Sequence, residues 1–202
     1  MMRCILRGIF SLFRGVQSLY DRMMNFLFFK AMKVNCRFRT LKINGRLLIR
    51  NHGRIEIGDG CCFNSGRIYN LIGGDDVCSL VAVEGGILKI GRRCRISNAA
   101  MVASVGIELG EDVFVGGGVK IYDTDFHPLD SRQRIEYRNE HTRKKPILIG
   151  DGAFIGAHSI ILKGVSIGKR AVIGAGSVVT KNIGDDEIWG GAPARLIRKV
   201  EP

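Results

Sequence analysis

The sequence predicts an all-β fold, a coil of short parallel strands with three flat faces, and three observations predict it. First, residues 149–184 divide into six consecutive blocks of six, IGDGAF, IGAHSI, ILKGVS, IGKRAV, IGAGSV and VTKNIG, each opened by an aliphatic residue (Ile149, Ile155, Ile161, Ile167, Ile173 and Val179). Second, the fifth position of every block is small or aliphatic: Ala153, Ser159, Val165, Ala171, Ser177, Ile183. Third, the phase recurs upstream. Ile90, Ile96 and Val102 open three blocks, and Leu109, Val115 and Ile121 open three more after a slip of one residue. Ile57 with Phe63, and Ile43, Ile49 and Ile55, are weaker echoes.

A period of six suits neither an α-helix nor a hairpin meander. It suits a coil whose faces are each one short strand and one turn. The aliphatic opener points inward, and the fifth residue also points inward, where the corner leaves little room. The 27 glycines against 4 prolines fit regular tight turns with positive φ. Three blocks make one coil, so 149–184 supplies two coils and 90–121 about two more. Successive coils stack as parallel strands about 4.8 Å apart. The period itself does not give the hand.

Charge is concentrated at one end. The first fifty residues hold eleven Lys or Arg against Asp21 alone, while the rest of the chain is nearly balanced within a net +12. A local excess of this kind points to a local anionic partner. Residues 3–32 read as an amphipathic helix: Ile5, Ile9, Leu12, Val16, Leu19, Met23 and Phe26 recur at spacings of four and three, with Arg7, Arg14, Ser18, Asp21 and Asn25 opposite. No run of about 18 uncharged residues exists, so a spanning helix is not expected. Two roles remain open for it, lying in a bilayer interface or capping the end of the coil. The expected division is 1–35 for this segment and 36–202 for the β-coil. Nucleic acid is not an expected partner. The six cysteines, at 4, 36, 61, 62, 78 and 94, show no zinc spacing and read as small buried apolar residues in a cytoplasmic protein.

The repeat is interrupted once, by a polar loop over 122–147 that begins YDTDFHPLD. In repeat folds, insertions project from one face and commonly build the site.

Taken together, the hexads and the closing WGGAPARLIRKV resemble the hexapeptide-repeat acyltransferases, most closely the maltose and galactoside O-acetyltransferases and the sugar O-acetyltransferases of polysaccharide gene clusters. The likeness covers roughly residues 40–200 and is most specific from 107 onward. It implies a left-handed parallel β-helix, a homotrimer with active sites between subunits, and acetyl-CoA as acyl donor, with no metal required. A short helical tail is expected at the C-terminus.

On this reading His127 is the catalytic base. Transfer of an acyl group from a thioester to a hydroxyl requires removal of the hydroxyl proton, and neutral imidazole is suited to that. Asp123 and Asp125 are candidate substrate contacts, and a carboxylate beside the ring could also fix its tautomer. His52, His141 and His158 read as turn or solvated residues. For the donor, the resemblance places Ala157 near the thioester, where relatives often carry serine, and Ala175 at a backbone contact to pantetheine. It places Thr180 and Lys181 at the pantetheine and nucleotide end, and Arg195 and Arg198 near the phosphates. The implied reaction is O-acetylation of a sugar or a polysaccharide or lipid-linked glycan precursor, in the cytoplasm or at the inner face of the membrane. N-acetylation of an amino sugar and a non-catalytic β-helix scaffold are the alternatives. A zinc enzyme on the same fold would need three converging histidines, and the sequence offers no close pair.

Overall fold

The structure is a computed structural model that describes residues 2–74, 76–136 and 138–200, with side chains described from Arg14 onward. A helix, Met2–Ala31, precedes a left-handed parallel β-helix of six coils. Each coil contributes one strand to each of three parallel sheets. In the first sheet Ile57, Ile90, Leu109, Ile149 and Ile167 stand in register. In the second the stack is Ile43, Phe63, Ile96, Val115, Ile155 and Ile173. In the third it is Ile49, Leu80, Met101, Ile121, Ile161 and Val179. These stacks are the block openers of the sequence. From Phe63 and Leu80 onward the second and third stacks lie almost wholly out of solvent. The fifth-position residues Ala153, Ser159, Val165, Ala171, Ser177 and Ile183 are buried with them.

The expected openers need one correction. Met101, not Val102, points inward, and Val102 pairs outward with Tyr122. The Ser97–Ala100 corner before Met101 is one residue short of the repeat, and the corner that follows, before Leu109, is two residues longer than the repeat, which together give the slip of one.

The corner between the first and second sheets repeats a left-handed residue. Arg93, Asp112, Arg170 and Asp186 occupy it at φ 59°, 55°, 56° and 58°, alongside Gly60 and Gly152. Where glycine is absent, ion pairs accompany the strained backbone: Arg93 with Asp112 and Arg170 with Asp186, each at 2.6 Å. Arg92–Glu111 and Lys169–Asp151 flank them.

The N-terminal helix caps the first coil with its polar face. Asp21, Asn25 and Phe29 are its buried residues. Asn25 donates Nδ2–H to the Gly45 carbonyl at 2.8 Å and accepts from Leu47 N–H at 3.1 Å. Asn51 holds the helix end by donating to the Met32 carbonyl. The apolar stripe faces outward: Val16, Leu19, Met23 and Phe26 are exposed. Ile5, Ile9 and Leu12 lie outside the described side chains. The helix therefore caps the coil and still presents an apolar face, so the two expected roles do not compete. No helix among the described residues is long and apolar enough to cross a membrane.

Two further features depart from expectation. The repeat is interrupted twice. A second excursion, 65–78, leaves after the strand Cys62–Asn64 and returns at Ser79–Ala82. The C-terminal tail is not helical: Glu187–Gly191 joins the second sheet beside Val172–Ile173, and Ala194–Lys199 folds back antiparallel onto it. The open edge of the last coil offers a row of backbone partners, and Gly190–Gly191 followed by Pro193 permits the reversal. Cys61, Cys78 and Cys94 are free and buried, as read, while Cys36 and Cys62 are half-buried.

Candidate active site

The polar loop leaves the fourth coil after Lys120–Tyr122, at the corner between the third and first sheets, and returns at Ile147–Ile149. Its two ends form a paired neck. Thr124 bridges Lys144, Asp125 N–H donates to Arg143, and Lys145 N–H donates to Asp123. Beyond the neck lie a short helix, Ser131–Ile135, capped by Asp130, and a 3-10 turn, Asn139–His141.

Asp123 does not fit the role of substrate contact. Its side chain is buried, and its two oxygens accept the N–H groups of Ser104, Val105 and Gly106 at 2.7, 2.7 and 2.6 Å. These are the corner amides of the coil below, donors that a solenoid corner must satisfy. Asp123 is a fastener between the loop neck and the coil.

Asp125 differs. Oδ1 takes an ion pair from Lys163 Nζ at 2.5 Å, and Oδ2 is buried with no hydrogen-bond partner among the described residues. Lys163 stands on the next coil at the same corner, in the block ILKGVS. The sequence offered no signal for this pair, because lysine at a turn position reads as solvated.

His127 is held by its backbone and left open at its ring. Its N–H donates to the Asp125 carbonyl at 2.7 Å across Phe126, whose φ is +61°. A bond between residues i and i+2 around a positive-φ centre is a strained γ-turn, and strain of this kind concentrates at functional sites. Phe126 N–H is tied to Thr124 Oγ1, and its ring meets Tyr122 at 5.3 Å. Pro128 is buried immediately after it. Among the described residues the exposed imidazole has one hydrogen-bonding neighbour, Asn139 Oδ1, 3.4 Å from Nδ1. An amide oxygen accepts, so this contact favours the tautomer with the proton on Nδ1 and the lone pair on Nε2. The orienting partner is an amide, where a carboxylate was expected. Asn139 stands twelve residues away in an irregular turn, with no periodicity to reveal it.

The expected donor positions separate into groups. Ala157 and Ala175 stack in successive coils at the corner between the second and third sheets, where Gly176 N–H donates to the Ala157 carbonyl. Among the described residues neither alanine N–H has a backbone acceptor. Thr180 and Lys181 lie at the other edge of the third sheet, on the loop's corner and two coils beyond it. Arg195 and Arg198 are exposed on the terminal hairpin and touch only neighbouring carbonyls. Arg92, Arg93, Lys169 and Arg170 are all paired with carboxylates. Among the described residues Lys181, Arg195 and Arg198 have no carboxylate partner. A pantetheine arm calls for backbone amides and a nucleotide phosphate for cations.

The second excursion reaches the Ala157 corner. His158, at φ +60°, meets the Ile72 carbonyl through Nε2 at 2.8 Å, and Lys120 pairs with Asp76. A Cβ on Gly117 would lie 2.5 Å from Asn70 Oδ1 and 2.7 Å from Gly73 N, so glycine is required where the excursion crosses the coil. His158 is thus a tether. His52 is exposed in a turn, and His141 is exposed beside Glu140. Among the described residues no cluster of three or more His, Cys, Asp or Glu could hold a metal.

Residues 87–123 and 146–181 match the family model described as the hexapeptide repeat of succinyl-transferase. A protein named as an acetyltransferase in Dictyostelium discoideum is 41% identical over 97 residues, which is 46% of this chain and 47% of that protein. Protein CapG of Staphylococcus aureus is 46% identical over 96 residues, 47% of this chain and 54% of its own length. The chain thus spans about half the length of these relatives. Among solved structures, a hexapeptide-repeat acetyltransferase of Vibrio cholerae O1 biovar eltor, complexed with acetyl coenzyme A, is 27% identical with a TM-score of 0.55, covering 77% of this chain and 72% of that one.

Proposed function

We propose that this chain, whose repeats match the hexapeptide-repeat model, is an acetyl-CoA-dependent O-acetyltransferase of that family acting on a hydroxyl of a sugar or glycan precursor, with His127 as general base. One observation carries this reading. At the place where the repeat stops, a strained turn presents an open imidazole whose Nδ1 faces an amide oxygen, leaving Nε2 to accept a hydroxyl proton. The Vibrio neighbour's acetyl coenzyme A supports the choice of donor.

Each group then has a task. Acetyl-CoA, when bound, supplies the activated acyl carbon. Ala157 and Ala175 offer backbone N–H groups to the donor's amides and to the carbonyl oxygen as charge develops on it. With alanine at 157, no side-chain hydroxyl assists there. Lys181, Arg195 and Arg198 meet the phosphates. Asp125, whose side chain is partly exposed beside His127, meets the acceptor sugar, and Lys163 holds its carboxylate in place. His127 takes the proton as the hydroxyl oxygen attacks the acyl carbon; the thioester C–S bond then breaks, and the imidazolium returns the proton to the departing CoA sulfur.

His127 and the Ala157–Ala175 corner stand at opposite edges of the third sheet, so one copy alone does not bring them together. A neighbouring copy, in a homotrimer, would set one subunit's His127 against another's alanine corner. The outward apolar stripe on the N-terminal helix, in a basic segment, would place the enzyme at an anionic membrane surface.

The test is a panel of sugar and glycan acceptors with acetyl-CoA, followed by release of free thiol. Acceptor-dependent release supports the proposal. Release with amino sugars alone would make the enzyme an N-acetyltransferase. Absence of acetyl-CoA binding by calorimetry would favour the scaffold reading.

A further inference from the structure

The loop that carries His127 returns to the coil through three consecutive cationic residues, Arg143, Lys144 and Lys145, all exposed. They form one side of the paired neck. Thr124 faces Lys144 across it, which sets Arg143 opposite Asp125, two residues from His127. A Cβ on Gly164 would meet the Lys145 side chain at 3.0 Å, so Lys145 lies against the coil next to Lys163. Cationic side chains from the loop and from the coil thus gather at the foot of the loop.

The loop's own acids do not neutralise the run. It holds five, and each is engaged elsewhere. Asp123 is taken by three corner amides and Asp130 by the Gln133 N–H. Asp125 pairs with Lys163, Glu136 pairs with Arg138, and Glu140 lies beside His141. Among the described residues Arg143, Lys144 and Lys145 have no carboxylate partner. The coil treats its exposed cations differently. Arg92, Arg93, Lys169 and Arg170 each meet a carboxylate within 3.0 Å.

Adjacent like charges repel, and an anion set beside them relieves the repulsion. An arginine fork matches the geometry of a phosphate or a carboxylate. A neutral sugar would gain nothing from this charge, and the ammonium of an amino sugar would be repelled by it.

We propose that the acceptor is an anionic saccharide, whose phosphate or carboxylate is held by Arg143 and Lys144 while its hydroxyl lies at His127. The proposal rests on the acetyl-transfer reading and adds to it the charge of the substrate. Asp125 and Lys163 neutralise each other, so the field that the anion meets is that of residues 143–145.

Matched acceptors test it, with the full chain and saturating acetyl-CoA: galactose, galacturonate and galactose 1-phosphate, and the same three forms of glucose. At least one anionic form is expected to exceed its neutral counterpart about tenfold or more in kcat/KM, with the advantage shrinking as salt is added. The form that wins assigns the anion as carboxylate or phosphate. An Arg143→Gln/Lys144→Gln variant is expected to raise KM for that acceptor about tenfold or more while kcat changes about threefold or less. Arg143→Lys, which keeps the charge, is expected to retain most of the affinity. If the double variant does not fold, Arg143→Gln alone is read for the same split. Neutral forms that serve as well as anionic ones, or a wild-type KM in the folded variants, would overturn the proposal. Dissociation of the double variant into smaller species in light scattering would also overturn it, by assigning these cations to contacts between copies.

Binding separates this proposal from the reading on which it rests. The His127 ring signals, assigned with His127→Ala, are followed by NMR as the same sugars are added without acetyl-CoA. They are expected to move at about tenfold lower concentrations of an anionic form than of its neutral form. Such binding without any acetyl transfer would contradict the acetyl-transfer reading and leave the anion site standing. Transfer with no preference for an anionic form in binding or in kcat/KM would contradict the anion site and leave the base in place. Ring signals that respond to no anionic form contradict the anion site as well.

Discussion

At the scale of single residues, two aspartates two positions apart have opposite roles, and sequence does not distinguish them. Both read as loop acids near a candidate base. Asp123 serves the fold, because its oxygens are consumed by three corner amides. Asp125 retains a buried oxygen with no partner among the described residues. The difference depends on which coil lies below, and a six-residue phase does not specify that. A prediction follows. Asp123→Asn puts an NH₂ group where an acceptor is needed and leaves at least one buried N–H unmatched. The cost is about 1–3 kcal/mol, and the thermal midpoint should fall by roughly 2–4 °C for each kcal/mol in a chain of this size. Asp125→Asn should leave the midpoint near wild type and raise KM for the acceptor. A reversed pattern in thermal melts and kinetics would exchange the two assignments. Asn139→Ala should lower kcat by about tenfold or less, since the 3.4 Å contact orients the ring without taking its proton. His127 stood out as a candidate in the sequence, because it is a histidine in the loop where the repeat stops. Asn139 and Lys163 did not, because both reach the site through space.

Among elements, the strands were read almost wholly from the openers, because one buried position in six repeats through the whole coil. The errors occurred where the repeat yields to something local. Met101 replaces Val102 because the corner before it is one residue short. The 65–78 excursion went unread because its apolar residues, Ile68, Leu71 and Ile72, imitate strand residues while standing exposed. PARLIRK pairs as an edge strand because the last coil offers it partners. The helix was placed correctly, but it docks through the polar face. The ion pairs along the first corner carry a pH prediction. Arg93 holds the Asp112 carboxyl below its ordinary value, and Arg170 does the same for Asp186. The Glu111 N–H and Lys169 lower Asp151, and the Gly184 N–H and Trp189 lower Glu187. A carboxylate depressed in the folded state adds stability above its unfolded value, about 4, and that contribution is lost as pH falls through the lowered value. The midpoint should therefore drop as pH falls below about 4, modestly for each pair because all are exposed. An Arg93→Gln/Arg170→Gln variant should show a flatter acid limb in melts across pH. An identical limb would assign the acid sensitivity elsewhere.

For the whole molecule, the fold class and the repeat were readable from sequence, while the hand and the proposed assembly entered through resemblance. The reason for proposing an assembly lies in the coil: the His127 imidazole and the Ala157–Ala175 corner occupy opposite edges of one sheet. Light scattering of the purified chain should give three times the 22.3 kDa chain mass, and a monomer fully active at the same concentration would contradict the shared site. The central claim is acetyl transfer with His127 as base, and its most direct measurement compares kcat/KM of wild type and His127→Ala, with acetyl-CoA and the best acceptor of the panel. The account predicts a fall of about a hundred- to ten-thousand-fold, with thermal midpoint and acetyl-CoA affinity unchanged. Transfer that continues at the wild-type rate in the folded variant would contradict it.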